Sequence, residues 1–146
     1  MNIVEKCLSW QVRGYYKIPH LILAFLGLEI PKDVVFQDVK LGGVHFVHRA
    51  PGTVIHPRTT FGRNVQIYQN VTIGKQRPWD AKIKEGGVYI SDGAILCAGS
   101  KILFGEDMLI VGKGTIIGAN SVLTKSTGEN EIWAGVPAKK IGVRRE

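Results

Sequence analysis

The sequence predicts a mainly β fold, a parallel β-helix wound from six-residue repeats behind a short helical cap. Three observations predict it. A large apolar residue recurs at every sixth position in Ile55, Phe61, Ile67 and Ile73, and again in Ile90, Leu96 and Ile102 and in Val111, Ile117 and Leu123. A small or β-branched residue follows most of these at the fourth place: Thr59, Val65, Val71, Ala94, Ser100, Thr115, Ser121 and Thr127. The chain also holds 18 glycines in 146 residues, a load that suits many turns better than long helices. Neither the 3.6-residue period of a helix nor the two-residue period of a half-buried strand keeps this beat. A hexapeptide repeat that makes one flat face and one corner does, and three such faces close one coil. The alternative, a sandwich of period-two strands, would have to produce ten matching positions by accident.

Taken in order, residues 1–30 form the cap. Ile3, Val4, Cys7, Leu8 and Trp10 fit a helical stripe, punctuated by Gly14, Pro19 and Gly27. The apolar run Ile18 to Ile30 is too short to span a bilayer as a helix, so a buried amphipathic cap is expected, with a membrane-surface helix as the alternative. Residues 31–128 form the coil. Its beat starts at Val35, Leu41 and Val47, which are expected to point inward, and slips by two before Ile55. Each buried first-position residue stacks on its counterpart one coil away and contributes about 1.5–3 kcal/mol. Gly62, Asn64, Gly112, Gly114, Gly118 and Asn120 tolerate the tight corners. The segment 75–82 (KQRPWDAK) carries a proline among polar residues and is expected to project as a loop. Residues 129–146 are expected to leave the repeat as a basic tail with Lys139, Lys140, Arg144 and Arg145.

The net charge of +7 favours an anionic partner. Nucleic acid is excluded, because no aromatic residues interleave the tail's charges for base stacking. Lys125, Lys139 and Lys140 suit a small polyphosphate better. Two distant cysteines, Cys7 and Cys97, read as reduced thiols of a cytoplasmic protein. No secretory cleavage pattern follows the N-terminus.

Chemistry is expected where the register slips. His48 follows Val47 at the first slip and would face outward beside the loop Arg49-Ala50-Pro51-Gly52, where an imidazole suits a general base near neutral pH. Asp33 or Asp38 could fix its tautomer. Arg77 and Trp79 in the projecting loop could reach over a substrate held near it. His45, His48 and His56 raise a metal site, but His45 and His48 face opposite sides of an extended chain and no Cys or carboxylate completes a tetrahedral set, so no metal is expected.

The repeat, the histidine before its loop, Val71-Thr72-Ile73-Gly74, the run Val111 to Thr124 and Trp133-Ala134-Gly135-Val136-Pro137-Ala138-Lys139 together resemble the hexapeptide-repeat acyltransferases. The branch of serine acetyltransferases and polysaccharide O-acetyltransferases is the most similar, over roughly residues 33–143. The resemblance implies a left-handed parallel β-helix, an exception to right-handed crossovers. It implies a homotrimer with acetyl-CoA lying between adjacent prisms and no metal. His48 would deprotonate an acceptor hydroxyl that attacks the thioester directly, and Asp33 would orient it. Arg77 falls in the loop where that branch keeps an arginine near the substrate. Gly74, Ala98, Ala119, Thr124, Lys125 and Lys139 map onto the family's contacts to pantetheine and phosphates. Two departures bear on the acceptor. Serine acetyltransferases keep an aspartate just before the catalytic histidine, where Val47 stands here, and about thirty residues stand where they carry a large helical domain. A sugar or polysaccharide-precursor hydroxyl is therefore the expected acceptor, with serine as the alternative and a non-catalytic β-helix binding module as the alternative of another class. The cap leaves a peripheral membrane contact open.

Overall fold

A computed structural model describes residues 2–37, 43–81 and 85–145 of the chain. Asp38 and Leu41 lie outside the described residues, as does Lys82 at the end of the projecting loop. The chain opens with two helices, α1 (Ile3–Val12) and α2 (Lys17–Phe25). Asn2 and Glu5 close a capping box on α1, each side chain bonding the other's backbone N–H at 3.0 Å. The amide of Asn2 also donates to the Phe46 carbonyl at 2.9 Å, which ties the cap to the coil. Pro19 sits in the first turn of α2, where its missing N–H costs nothing.

Among the described residues fourteen strands follow, most of them two to four residues long: β1 (Val35–Phe36), β2 (Val44–Phe46), β3 (Val54–Ile55), β4 (Thr59–Phe61), β5 (Val65–Ile67), β6 (Thr72–Lys75), β7 (Gly87–Ile90), β8 (Ile95–Leu96), β9 (Lys101–Phe104), β10 (Met108–Val111), β11 (Ile116–Ile117), β12 (Val122–Leu123), β13 (Glu131–Gly135) and β14 (Ala138–Val143). They form three sheets ordered β1-β4-β7-β10, β14-β13-β11-β8-β5-β2 and β12-β9-β6-β3. All pairings except β13 with β14 are parallel. The chain thus visits the β3, β4 and β5 sheets in turn around a triangular shaft.

The six-residue beat is the inside of that shaft. Ile55, Ile73, Ile102 and Leu123 stack in register on one wall, Phe61, Ile90 and Val111 on the second, and Ile67, Leu96 and Ile117 on the third. All ten are buried. The corner-side positions Thr59, Val65, Val71, Ala94, Ser100, Thr115 and Ser121 are buried with them. Asn64, Asn70, Asn120 and Asn130 take the left-handed backbone (φ 53 to 58) at successive corners, a conformation that asparagine adopts more readily than most residues.

The first coil departs from the predicted beat. Val35 is exposed and its neighbour Phe36 packs inward, stacked on Phe61 at 5.2 Å. Phe46, not Val47, is the buried partner of Ile67. A one-residue shift exchanges the two sides of a strand, and here the larger ring wins the interior at both places. The tail also differs from expectation. Glu131–Gly135 stays in the coil as β13, with Trp133 turned inward against Ile117, and β14 folds back antiparallel along it. The cap is buried only on one side: Val4, Cys7, Leu8 and Leu23 face the core, while Ile18, Leu21 and Phe25 face outward.

The β13–β14 ribbon is held by one carboxylate. Glu131 accepts from Lys140 Nζ at 2.7 Å, from Trp133 Nε1 at 2.8 Å and from the Gly128 N–H at 2.7 Å. The Lys140 ammonium foremost, then the indole and the amide, hold its pKa at about 2 against an ordinary 4.5. A carboxylate so lowered contributes stability above its unfolded-state pKa and loses it as pH falls toward the folded value. Acidification from pH 4.5 to about 2 is therefore expected to loosen β14 before the coil. Glu131→Gln should abolish that acid step in an NMR titration of the Trp133 indole, and an unchanged titration would refute the assignment.

Candidate active site

After Phe46 the chain leaves the β5 sheet through a tight turn, Val47–Arg49, on its way to β3. His48, Arg49 and Ala50 all have positive φ, at 53, 64 and 42°. Non-glycine residues pay of order 1–3 kcal/mol each for such backbone, and it persists only where the surroundings hold it. Here Ala50 is fully buried and its N–H bonds the Val47 carbonyl at 2.9 Å. The loop is clamped from both sides, by Gly52 N–H on the Gly27 carbonyl (2.7 Å) and Asn70 N–H on the Pro51 carbonyl (2.9 Å). The turn leaves Val47 half-buried and places His48 in solvent, edge-on to Tyr68 of the next coil with ring centres 6.4 Å apart. Three consecutive strained residues thus serve to present one imidazole.

Below His48 the same corner continues through the stack of coils. Gly99 N–H bonds Gln69 and Asn120 N–H bonds Ala98, each at 2.9 Å, so Gln69, Ala98 and Ala119 follow one another down a single edge. Two alanines in file leave that edge shallow. The adjoining β3 sheet carries Gly74 and Thr124, one residue past the inward Ile73 and Leu123 and so on its outer side. A Cβ added at Gly74 would meet nothing within 4 Å, so its surface is open. Lys125 and Lys139 lie at the lower end. The Lys125 ammonium stands 5.7 Å from the centre of the Trp133 ring, and Lys139 pairs with Ala134 across the final ribbon. The six residues assigned to the cofactor therefore gather on one flank, with His48 at its head. Small side chains and open backbone suit an extended pantetheine arm, and two ammonium groups suit phosphates.

The other residues singled out by sequence lie on a second corner, where the β3 sheet passes to the β4 sheet. Arg77 and Trp79 sit in the loop after β6. Arg77 reaches Glu106 at 3.6 Å and Asp80 at 3.7 Å, and Trp79 is exposed. Asp33 lines a shallow groove there with Val35, Arg58, Thr60 and Met108. Among the described residues no hydrogen bond or ion pair joins Asp33 to His48. One acidic residue that sequence reasoning did not single out is joined through its backbone to the strand that follows the turn. Glu29 bridges to Val54, its N–H bonding the Thr53 carbonyl and its carbonyl accepting from Ile55, each at 2.9 Å. Its signal was hidden because it lies in the segment assigned to the helical cap, outside the beat.

His56 also occupies this second corner, half-buried and edge-on to Phe104, with Nδ1 accepting from the Arg58 N–H at 3.1 Å. Burial first, then the charges of Lys75 and Arg58, lower its pKa. With Nδ1 accepting, the ring hydrogen falls to Nε2. His45 turns away from both, toward Glu5 at 3.7 Å. The third corner holds a broad groove of 880 Å³ with Arg63, Lys113, Arg144 and Arg145. Two of its cations have structural partners: Arg63 is paired with Asp92 at 3.0 Å, and Arg144 bonds the Gly93 and Gly114 carbonyls.

No family model matches the chain. A serine acetyltransferase of Staphylococcus aureus is 33% identical over 126 residues, covering 82% of this chain and 53% of that protein. The crystal structure of a serine acetyltransferase from Brucella abortus superposes with a TM-score of 0.73 at 25% identity, over 97% of this chain and 55% of that one. The same enzyme in complex with coenzyme A superposes at 0.71 with 24% identity, over 98% and 54% of the two chains. The chain spans about half the length of these relatives. Its fold is the left-handed β-helix of hexapeptide-repeat proteins.

Proposed function

The chain belongs to the hexapeptide-repeat transferases as a homologue of the serine acetyltransferases, and from that premise we propose that it is an acetyl-CoA-dependent O-acetyltransferase. The observation that carries the proposal is the exposed imidazole of His48 at the head of a shallow edge that ends at Lys125 and Lys139. His48 takes the proton of the acceptor hydroxyl as its oxygen bonds to the thioester carbonyl carbon. The C–S bond then breaks, and the imidazolium returns the proton to the departing thiolate. Gly74, Ala98, Ala119 and Thr124 align the pantetheine arm, and Lys125 and Lys139 hold the phosphates.

Arg77 and Trp79 stand on a different corner of the triangle from His48. A complete site then takes the loop of one copy and the His48 corner of the next, which is the reason to propose a homotrimer. The carboxylate that orients His48 is then Asp33, which stands on the Arg77 corner and reaches the ring across the subunit boundary.

Serine is the acceptor that the relatives favour. A sugar hydroxyl is the second reading, favoured by one observation: Val47, apolar and half-buried, stands beside His48 where an ammonium-binding carboxylate would serve an amino acid. Thiol release from acetyl-CoA separates the two. Rapid turnover with free serine is expected on the first reading, and turnover only with a saccharide on the second. No thiol release with either, and no binding of CoA, would leave a non-catalytic module and overturn the proposal.

A further inference from the structure

The outer face of the cap is apolar and bordered by exposed basic side chains. On α2, Ile18, Leu21 and Phe25 are 67, 68 and 91% exposed and stand at i, i+3 and i+7, on one side of the helix. Tyr15 (70% exposed) and Trp10 (44%) extend the face toward α1, where Trp10, Arg13, Tyr15, Ile18 and Pro19 line a hollow of 300 Å³. Exposed Arg13, Lys17 and Lys32 border it. No acidic residue occurs between Lys6 and Leu28. No helix among the described residues is long and apolar enough to cross a membrane.

We propose that this face seats the protein on an anionic lipid bilayer, with Leu21 and Phe25 entering the acyl boundary and Arg13, Lys17 and Lys32 meeting lipid phosphates. Three features select that occupant. An amphipathic helix with an apolar stripe and a basic border lies flat in the headgroup region, and its binding scales with buried apolar area plus attraction to anionic lipid. Trp and Tyr beside such a stripe prefer the membrane–water boundary, where one end of the ring is wet. A second copy of the same face would bring Arg13, Lys17 and Lys32 against their own equivalents, so like charges would oppose that contact.

Flotation of the full chain with vesicles tests the proposal, using phosphatidylcholine alone and phosphatidylcholine mixed with phosphatidylglycerol. The protein is expected to float with the anionic vesicles and to stay behind with the neutral ones. Phe25→Glu and Leu21→Glu each place a charge on the stripe and should abolish flotation. Arg13→Gln and Lys17→Gln should each weaken it about fivefold, at roughly 1 kcal/mol per basic residue near the surface. All four side chains are exposed, so the thermal midpoint and CoA binding should stay at the wild-type values and report an intact fold. Wild-type protein that fails to float, floats equally on neutral lipid, or floats unchanged as Phe25→Glu would refute the proposal. A smaller oligomer for Phe25→Glu in sedimentation equilibrium without lipid would instead assign the face to a second copy, and would also refute it.

Discussion

Replacing His48 with alanine is expected to lower kcat for acetyl transfer by about 10²–10⁴-fold, the usual contribution of a general base, while CoA binds as before. The separation follows from the layout of the edge. His48 stands at its head, beside Tyr68, and the residues assigned to CoA lie on the coils below. Removing the ring would therefore take away the proposed proton acceptor without touching the residues assigned to CoA. Turnover that survives His48→Ala would refute the assignment. The orienting carboxylate shows itself differently. Loss of a group that holds the ring should move the acid limb of the pH–rate profile as well as the rate, which mere loosening of the turn would not do. Asp33→Asn is expected to do this across the subunit boundary. Mixed assemblies of His48→Ala and Arg77→Ala chains add a third outcome. Two inactive variants recover activity together only when one site draws on both copies.

The sequence made most of the coil legible because its interior admits one residue type at one spacing. From Ile55 to Leu123 the first residue of every repeat is a buried stacking partner, and one register slip and a long loop do not disturb the rule. The rule fails in the first coil, where Phe36 and Phe46 displace Val35 and Val47 from the interior. There the cap replaces a preceding coil, so pairing from one side alone sets the register. That failure falls beside the strained turn, so His48 was singled out from a beat one position out. The bridge from Glu29 to Val54 was illegible for a related reason, since it has no six-residue echo in the chain. The pairing of Arg77 with Glu106 was equally invisible, because it joins two loops that only the winding brings together. Apolar periodicity likewise told that α2 is amphipathic, but both of its sides carry large apolar residues, and only the fold decides which side is covered.

The stacked rings at the start of the coil lead to the second large effect. Phe61→Ala is expected to destabilise the protein by about 3–5 kcal/mol, the usual cost of truncating a buried phenylalanine. Phe61 is fully buried between two neighbours on its wall, with Phe36 above it and Ile90 below. The rings of Phe36 and Phe61 are 5.2 Å apart and tilted by only 8°, a stacked geometry worth about 0.5–1.5 kcal/mol beyond area alone. Alanine there would leave a void that the short strands can collapse only by pulling one coil toward the next. The hydrogen bonds between coils, such as Gly62 N–H to the Ile90 carbonyl at 2.7 Å, resist that movement. Phe25→Ala is the control, because a ring 91% exposed should change stability by no more than about 0.5 kcal/mol. Urea unfolding of both variants at one fixed protein concentration measures the contrast and keeps any contribution from assembly constant. A Phe61→Ala midpoint equal to that of Phe25→Ala would mean that the first coil is not held by ring stacking, and that the turn presenting His48 depends on the clamps at Gly52 and Asn70 instead.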